Sequence, residues 1–232
     1  MNKLYIVIPS YNEQINIENL VCDWYPVTEQ YDGKLVIIND GSKDDTYSVL
    51  MKLAVDRPKL EVLTKENGGH GDTLLYGYRY AIDHGAEWIF QTDSDGQTKA
   101  AEFAGFWEAR NSYDAIFGHR RVRGDGAIRK FVEDVLCIVL WCMFGIRVPD
   151  ANCPFRLMKA EKVAQYTKKL PVHYSLPNVM LTVFFSKNDK VKFKEISFEK
   201  RKSGQNSINM KKIVKIGMQS LRDFRYFRCK ME

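Results

Sequence analysis

The chain has 232 residues, 45% of them hydrophobic, and a net charge of +6. That is enough for one domain with its own core, so folding needs neither disulfides nor a structural metal. The five cysteines, Cys22, Cys137, Cys142, Cys153 and Cys229, are odd in number and form no Cys-x-x-Cys pair. This excludes a disulfide framework and a zinc ribbon and fits a reducing, cytoplasmic setting.

The N-terminal apolar run meets Pro9 too soon for a signal peptide and reads as a first buried strand, Tyr5 to Ile8, followed by a helix from about Gln14. Leu35 to Ile38 and a helix from about Asp44 come next, then Leu60 to Leu63 and a helix from about Asp72. Trp88 to Phe90 and Ala115 to Phe117 continue the strand series. Strands alternating with helices predict an α/β fold, a mostly parallel twisted sheet covered by helices on both faces. Ligands in such sheets bind beyond the carboxyl ends of the strands.

The loops leaving those ends are therefore the candidate site. They are Pro9-Ser10-Tyr11-Asn12-Glu13, Asn39-Asp40-Gly41-Ser42, the glycine loop Asn67-Gly68-Gly69-His70-Gly71-Asp72, and Asp93-Ser94-Asp95-Gly96-Gln97. Each has a plain local reading. Asn12 can cap the next helix, Ser42 with Asp45 makes a capping-box-like pair, and Asp-Ser-Asp-Gly suits an exposed turn. His70 is either a phosphate donor or a solvated loop histidine. Asp93 and Asp95, one residue apart at a strand end, are the oxygen ligands a Mg2+ or Mn2+ ion uses when substrate phosphates complete its shell. A calcium loop is excluded, because Thr98 and Ala104 stand where an EF-hand needs Gly and Glu. Dinucleotide and P-loop fingerprints fail as well, since Leu74 replaces the third glycine.

From Arg120 to Lys130 the chain is loop-like and basic, with Arg120, Arg121, Arg123 and Arg129, and leads into the apolar run Val135 to Phe144. That run falls short of the roughly 20 residues needed to cross a bilayer and predicts a buried helix, with an interfacial one as the alternative. Val191 to Phe198 reads as a strand. The polar segment Lys200 to Ser207 reads as a mobile loop whose cations close over a diphosphate. The last helix, from about Ile208 to Arg228, puts Met210, Ile213, Val214, Gly217, Leu221 and Phe224 on one face. From Lys200 onward ten Lys or Arg face two acids, so the tail carries +8 and the rest of the chain −2. Basicity confined to a tail points to an anionic surface such as phospholipid headgroups, with a solvated helix as the alternative, and not to a nucleic-acid-binding domain.

In this order and spacing the motifs resemble the family 2 inverting glycosyltransferases of the GT-A fold, nearest the branch that makes dolichyl- or polyprenyl-phosphate sugars. The match runs from about Lys3 to Ser207 and includes Asp150 to Arg156 and Arg201 to Ser207. The resemblance implies a catalytic domain over 1–207 and a basic amphipathic helix over 208–232. It implies a UDP- or GDP-sugar donor, with Pro9, Tyr11, Glu13, Asp40 and Ser42 at the nucleoside and Asp93, Asp95 and Gln97 at the metal. Arg120, Arg129 and Arg201 would handle phosphate, as planar guanidinium groups do. Asp95, Arg129, Arg201 and Asp150 are the expected catalytic residues.

A lipid phosphate acceptor, ionised near neutral pH, attacks without a base, whereas a sugar hydroxyl acceptor in polysaccharide or glycolipid synthesis needs a carboxylate. Asp150, Glu133 and Asp134 are the candidates for that base. The sequence departs from the lipid-phosphate branch at Glu133, where a small hydroxyl residue is usual, and at Cys153-Pro154, where Thr-Gly is usual. A carboxylate at 133 is expected to repel an acceptor phosphate. Membrane contact is expected to be peripheral. The reading of another class is a non-catalytic nucleotide-sugar-binding module. A nucleotidyltransferase is disfavoured, because Pro9 to Glu13 stands where its glycine-rich loop belongs.

Overall fold

The computed structural model describes residues 3–121, 126–200 and 210–231. Its elements are β1 (Leu4–Ser10), α1 (Ile17–Gln30), β2 (Lys34–Asp40), α2 (Thr46–Ala54), β3 (Leu60–Lys65), α3 (His70–Asp83), β4 (Trp88–Gln91), α4 (Ala104–Ala109), β5 (Ala115–His119), α5 (Ala127–Phe144), β6 (Arg156–Lys159), α6 (Ala160–Thr167), α7 (Pro177–Asn188), β7 (Val191–Glu195) and α8 (Met210–Met231). Seven strands form one sheet in the order β3-β2-β1-β4-β6-β5-β7. The pairs β1 with β2, β2 with β3, β1 with β4 and β5 with β7 are parallel, and only β6 runs against its neighbours β4 and β5. The expected mostly parallel α/β sheet is what forms.

Alternation along the strands explains the two covered faces. Leu4, Ile6 and Ile8 of β1 join Leu35, Ile37 and Phe90 in one core with Trp24, Phe103 and Phe155. Tyr5 and Val7 join Val36, Ile38 and Ile89 in the other, with Leu74, Tyr78, Phe184 and Phe185. Each fully buried side chain of this size contributes about 1.5–3 kcal/mol.

Two flips of direction matter for the site. Because β6 is antiparallel to both β4 and β5, the strands β1, β2, β3, β4, β5 and β7 all point their carboxyl ends at one edge. The segment from Asp150 enters β6 at that same edge.

Several boundaries move. α1 begins at Ile17 rather than Gln14, α2 at Thr46, and α3 already at His70, with Gly69 before it at φ 86°. β7 ends at Glu195, short of Phe198. The run Val135 to Phe144 lies in α5 and is only half buried: Leu140 and Phe144 face the core, while Val135, Ile138 and Trp141 are exposed. Gly145 closes this helix in the left-handed region, φ 71°, which a residue without Cβ adopts freely.

α8 packs on the domain. Phe224 lies 5.9 Å from Phe144, and Phe227 lies 5.8 Å from Tyr174 and 6.2 Å from Phe184, measured between ring centroids. Leu221 and Gly217, on the face read from the sequence, remain exposed. No helix among the described residues is long and apolar enough to cross a membrane.

Candidate active site

The β1 and β2 loops are bonded to each other. Asn12, at φ 54°, donates its N–H to Ser42 Oγ at 3.0 Å and accepts from Lys43 N at 2.8 Å through Oδ1. Glu13 N donates to Thr46 Oγ1 at 2.8 Å, Gln14 N to Asp44 Oδ2 at 3.2 Å, and Asp45 N to Gln14 Oε1 at 3.0 Å. Neither Asn12 nor the Ser42 and Asp45 pair caps a helix, contrary to the local reading. The side chains of Asn12 and Ser42 satisfy backbone groups of the facing loop instead. Pro9 is buried in β1, Tyr11 is exposed, and the Glu13 carboxylate accepts from Asn16 Nδ2 at 2.7 Å.

Asp40, the last residue of β2, is buried and organises the glycine loop. Its Oδ1 accepts from Lys65 Nζ at 2.7 Å and Gly68 N at 2.9 Å, and its Oδ2 from Gly69 N at 2.9 Å. Lys65 also reaches Asp72 Oδ2 at 2.9 Å, and Asp72 Oδ1 pairs with His173 Nδ1 at 2.7 Å. Burial works against charge on Asp40, but Lys65, the Gly68 N–H and Thr73 outweigh it and hold the carboxyl below its usual pKa. Gly71 is obligatory for a different reason. A Cβ there would lie 2.2 Å from the Tyr174 carbonyl oxygen.

At the β4 end, Asp93 Oδ1 meets His70 Nε2 at 2.9 Å and Gln91 Nε2 at 3.2 Å. Partial loss of water disfavours charge on the imidazole, yet Asp93, then Asp95 and Asp40, hold its pKa above the usual value. Asp95 Oδ1 accepts from Gln97 N at 3.2 Å. Gln97 is buried and donates Nε2 to Glu199 O at 2.7 Å, while Glu199 N returns a bond to Gln97 O at 2.9 Å. That leaves Gln97 Oε1 and the carboxylates as oxygen donors, a chemistry that fits a hard divalent cation. The described residues contain no group of three or more His, Cys, Asp or Glu able to hold a metal ion unaided. Gln91 Oε1 and Ser10 Oγ are buried on the strands beneath the site without a hydrogen-bond partner.

The arginine side differs from expectation. Arg120, leaving β5, is buried and donates Nε to Asp150 Oδ2 at 2.7 Å and Nη2 to Asp150 Oδ1 at 2.8 Å. Asp150 also accepts from Arg120 N and Asn152 N, both at 3.2 Å. Glu133 Oε1 accepts from Ala151 N at 2.7 Å, and its Oε2 stands 3.5 Å from Arg120 Nη2. One guanidinium is thus shared by two buried carboxylates.

Asp150 and Glu133, expected as candidate bases, are consequently engaged as acceptors of this cluster, and Arg120, expected at phosphate, is engaged as its donor. Asp134 is exposed and pairs with Lys130 at 3.0 Å. Arg129 is in the first turn of α5, half-buried, one turn before Glu133. Arg123 and Arg201 lie outside the described residues, as does most of the expected loop over the diphosphate. The chain is nevertheless pinned against Gln97 at Glu199, two residues before Arg201.

Sequence reasoning missed Lys65 and Arg156. Lys65 stands directly opposite Asp40 in the β2 and β3 register, so the charges at two adjacent strand ends were the available signal. Arg156 is fully buried, with its guanidinium on the carbonyls of Cys153, Asn178 and Ala151 and on Thr182 Oγ1. No periodicity announces a buried arginine.

Similar proteins agree with this architecture. An uncharacterized glycosyltransferase of Synechocystis is 30% identical over 173 residues, covering 73% of this chain and 54% of that protein. An undecaprenyl-phosphate mannosyltransferase of Micrococcus luteus is 24% identical, covering 68% and 67%. Among solved structures, glucosyl-3-phosphoglycerate synthase from Mycobacterium tuberculosis, in complex with Mn2+, uridine diphosphate and glucosyl-3-phosphoglycerate, superposes with a TM-score of 0.73 at 14% identity, covering 99% of this chain and 80% of that one. The chain spans about half the length of the first curated relatives it matches, 54% and 45%. The glycosyl transferase family 2 model matches residues 5–166, which hold the sheet edge, the cross-bonded loops and the acidic pair, and the chain belongs to that family.

Proposed function

We propose that this glycosyltransferase moves a sugar, with inversion at the anomeric carbon, from a nucleoside-diphosphate sugar to a polyprenyl phosphate. The observation that carries the acceptor assignment is the commitment of both buried candidate bases. Asp150 spends both oxygens on Arg120 and backbone N–H groups, and Glu133 is bonded to Ala151 N. A hydroxyl acceptor would have to take its base from elsewhere, whereas a phosphate monoester with a second pKa of about 6 is already nucleophilic at neutral pH. The departure at Glu133 therefore does not count against a phosphate acceptor, because that carboxylate is turned to the backbone and to Arg120. Relatives named undecaprenyl-phosphate sugar transferases support the same reading.

On the donor side, Asp40 holds Gly68 and Gly69 so that the glycine loop and the start of α3 face the nucleotide. Asp93, Asp95 and Gln97 would hold a Mg2+ or Mn2+ ion, which when bound supplies positive charge against the departing diphosphate. His70, paired with Asp93 at 2.9 Å, holds that carboxylate in position. Arg201, expected from the sequence at the same diphosphate, lies outside the described residues. Solved neighbours bound to uridine diphosphate and to UDP-GlcNAc support a uridine donor.

The test has two arms. Donor binding is read as thermal stabilisation by UDP- and GDP-sugars with and without Mn2+, about 2.7 kcal/mol at a hundred times Kd. Asp95→Ala should abolish the Mn2+-dependent part without lowering the melting temperature of the free protein. Product analysis with a polyprenyl phosphate then decides the acceptor. An acid-labile lipid phosphate sugar supports the reading, and transfer to a sugar hydroxyl alone overturns it.

A further inference from the structure

Position 91 breaks the pattern of its strand. Side chains alternate between the two faces of the sheet, which puts Gln91 on the face of Ile89 and, across the register, of Val7, in the core layer that also holds Leu74 and Tyr78. That layer takes apolar residues, yet an amide stands there, buried at 0% exposure. Its Oε1 has no hydrogen-bond partner. Arg156, directly opposite in β6, does not supply one, because its guanidinium is turned to the carbonyls of Cys153, Asn178 and Ala151. A buried polar atom left unpaired costs stability, so packing alone gives no reason for glutamine at this position.

The other end of the amide supplies the reason. Gln91 Nε2 donates to Asp93 Oδ1 at 3.2 Å, and His70 Nε2 meets the same oxygen at 2.9 Å. A carboxylate only accepts, so the amide nitrogen must be the end that faces it. Among the described residues, the hydrogen bonds shown for Asp93 come from these two side chains, whereas Asp95 accepts from its own turn, Gln97 N at 3.2 Å. The orientation of Asp93 therefore depends on its neighbours. His70 stands exposed at the start of α3, where water competes for it, while Gln91 is enclosed by the core. Both bonds fall on Oδ1, which leaves Oδ2 as the oxygen for a cation.

We infer, resting on the divalent-cation site proposed above, that Gln91 is a positioning residue: its amide fixes the Asp93 carboxylate from the core so that one oxygen stays available to the ion, at a cost in stability from its own unpaired Oε1. It touches neither the donor nor the metal and acts through Asp93. Groups that orient a metal's ligands in this way typically govern its affinity by about 10–100-fold.

Titration of the full chain with Mn2+ in the presence of UDP, followed by the electron paramagnetic resonance of free Mn2+, tests the role. Gln91→Met, close in shape but without the amide, should raise the Mn2+ dissociation constant about tenfold or more. The melting temperature of the metal-free protein should stay within about 2 °C of wild type or rise, because the unpaired oxygen has gone. UDP binding without metal should be unchanged, and saturating Mn2+ should restore turnover, so that the metal requirement moves and kcat does not. Gln91→Leu should behave in the same way. A Mn2+ constant equal to that of wild type in both variants would overturn the inference. So would melting temperatures lowered by more than about 5 °C in both, which would make the amide a stabilising part of the core. A wild-type chain that binds no Mn2+ would instead overturn the cation site itself and the role of Gln91 with it, so the two failures are told apart.

Discussion

Replacing Asp150 with Ala separates a structural clamp from a catalytic base. In the native protein Arg120 is 8% exposed, and its guanidinium is held at 2.7 and 2.8 Å by the two Asp150 oxygens. Burial alone would disfavour its charge, and Asp150 reverses that, raising the arginine pKa above its usual value. Removing the carboxylate leaves Glu133 Oε2, 3.5 Å away, as the remaining acidic partner shown for that guanidinium. It also strips an acceptor from Arg120 N and Asn152 N. Breaking one side of a buried ion pair costs about 3–5 kcal/mol, and Glu133 offsets part of it, so about 3 kcal/mol is expected. For a chain of this length that lowers Tm by roughly 6–12 °C. Thermal and urea unfolding of Asp150→Ala measure the loss. Arg120→Met in the same chain should recover part of it, because the uncompensated guanidinium is removed, while the Glu133 carboxylate keeps its bond from Ala151 N but loses its cation. A Tm within about 2 °C of wild type, accompanied by a collapse in kcat, would refute the clamp and restore Asp150 as a base.

Three further outcomes follow from neighbouring geometry. Lys65→Met leaves Asp40 and Asp72 facing each other without their shared cation and should cost about 3 kcal/mol at neutral pH. Both carboxyls have depressed pKa values, so the gap between variant and wild type should be complete above about pH 4 and shrink as pH falls through the depressed folded values; a gap independent of pH down to acid unfolding would contradict the network. Gly71→Ala should destabilise by about 1–3 kcal/mol, since the new methyl meets the Tyr174 and Ser175 carbonyl oxygens of the main chain, and chemical denaturation reads it. Phe227→Ala should cost about 3–5 kcal/mol if α8 is part of the domain, and an unchanged denaturation midpoint would show that it is not.

The strands and the edge they feed were legible in the sequence because each is a short β-branched or aromatic run followed by turn residues, a purely local signal. The acidic motif Asp93 to Gln97 was legible for the same reason. What could not be read was pairing across distance. Arg120 is 30 residues from Asp150 and Ala151 is 18 from Glu133, and nothing local distinguishes a phosphate-binding arginine from one already satisfied by an internal carboxylate. β6 escaped notice because its first residue is a buried arginine, which propensity alone assigns to the surface.

The helical face of α5 exposes a second limit. Hydrophobic periodicity reports that Phe131, Val135 and Ile138 share a side, but whether that side meets protein, lipid or water depends on which elements the fold brings over it. Here the domain core takes up the opposite side and α8 covers one flank, so an apolar run that reads as core ends half exposed. The sequence signal that remained was charge: the cations near both ends of α5 and along α8 flank the uncovered side, an arrangement a purely internal helix has no reason to carry.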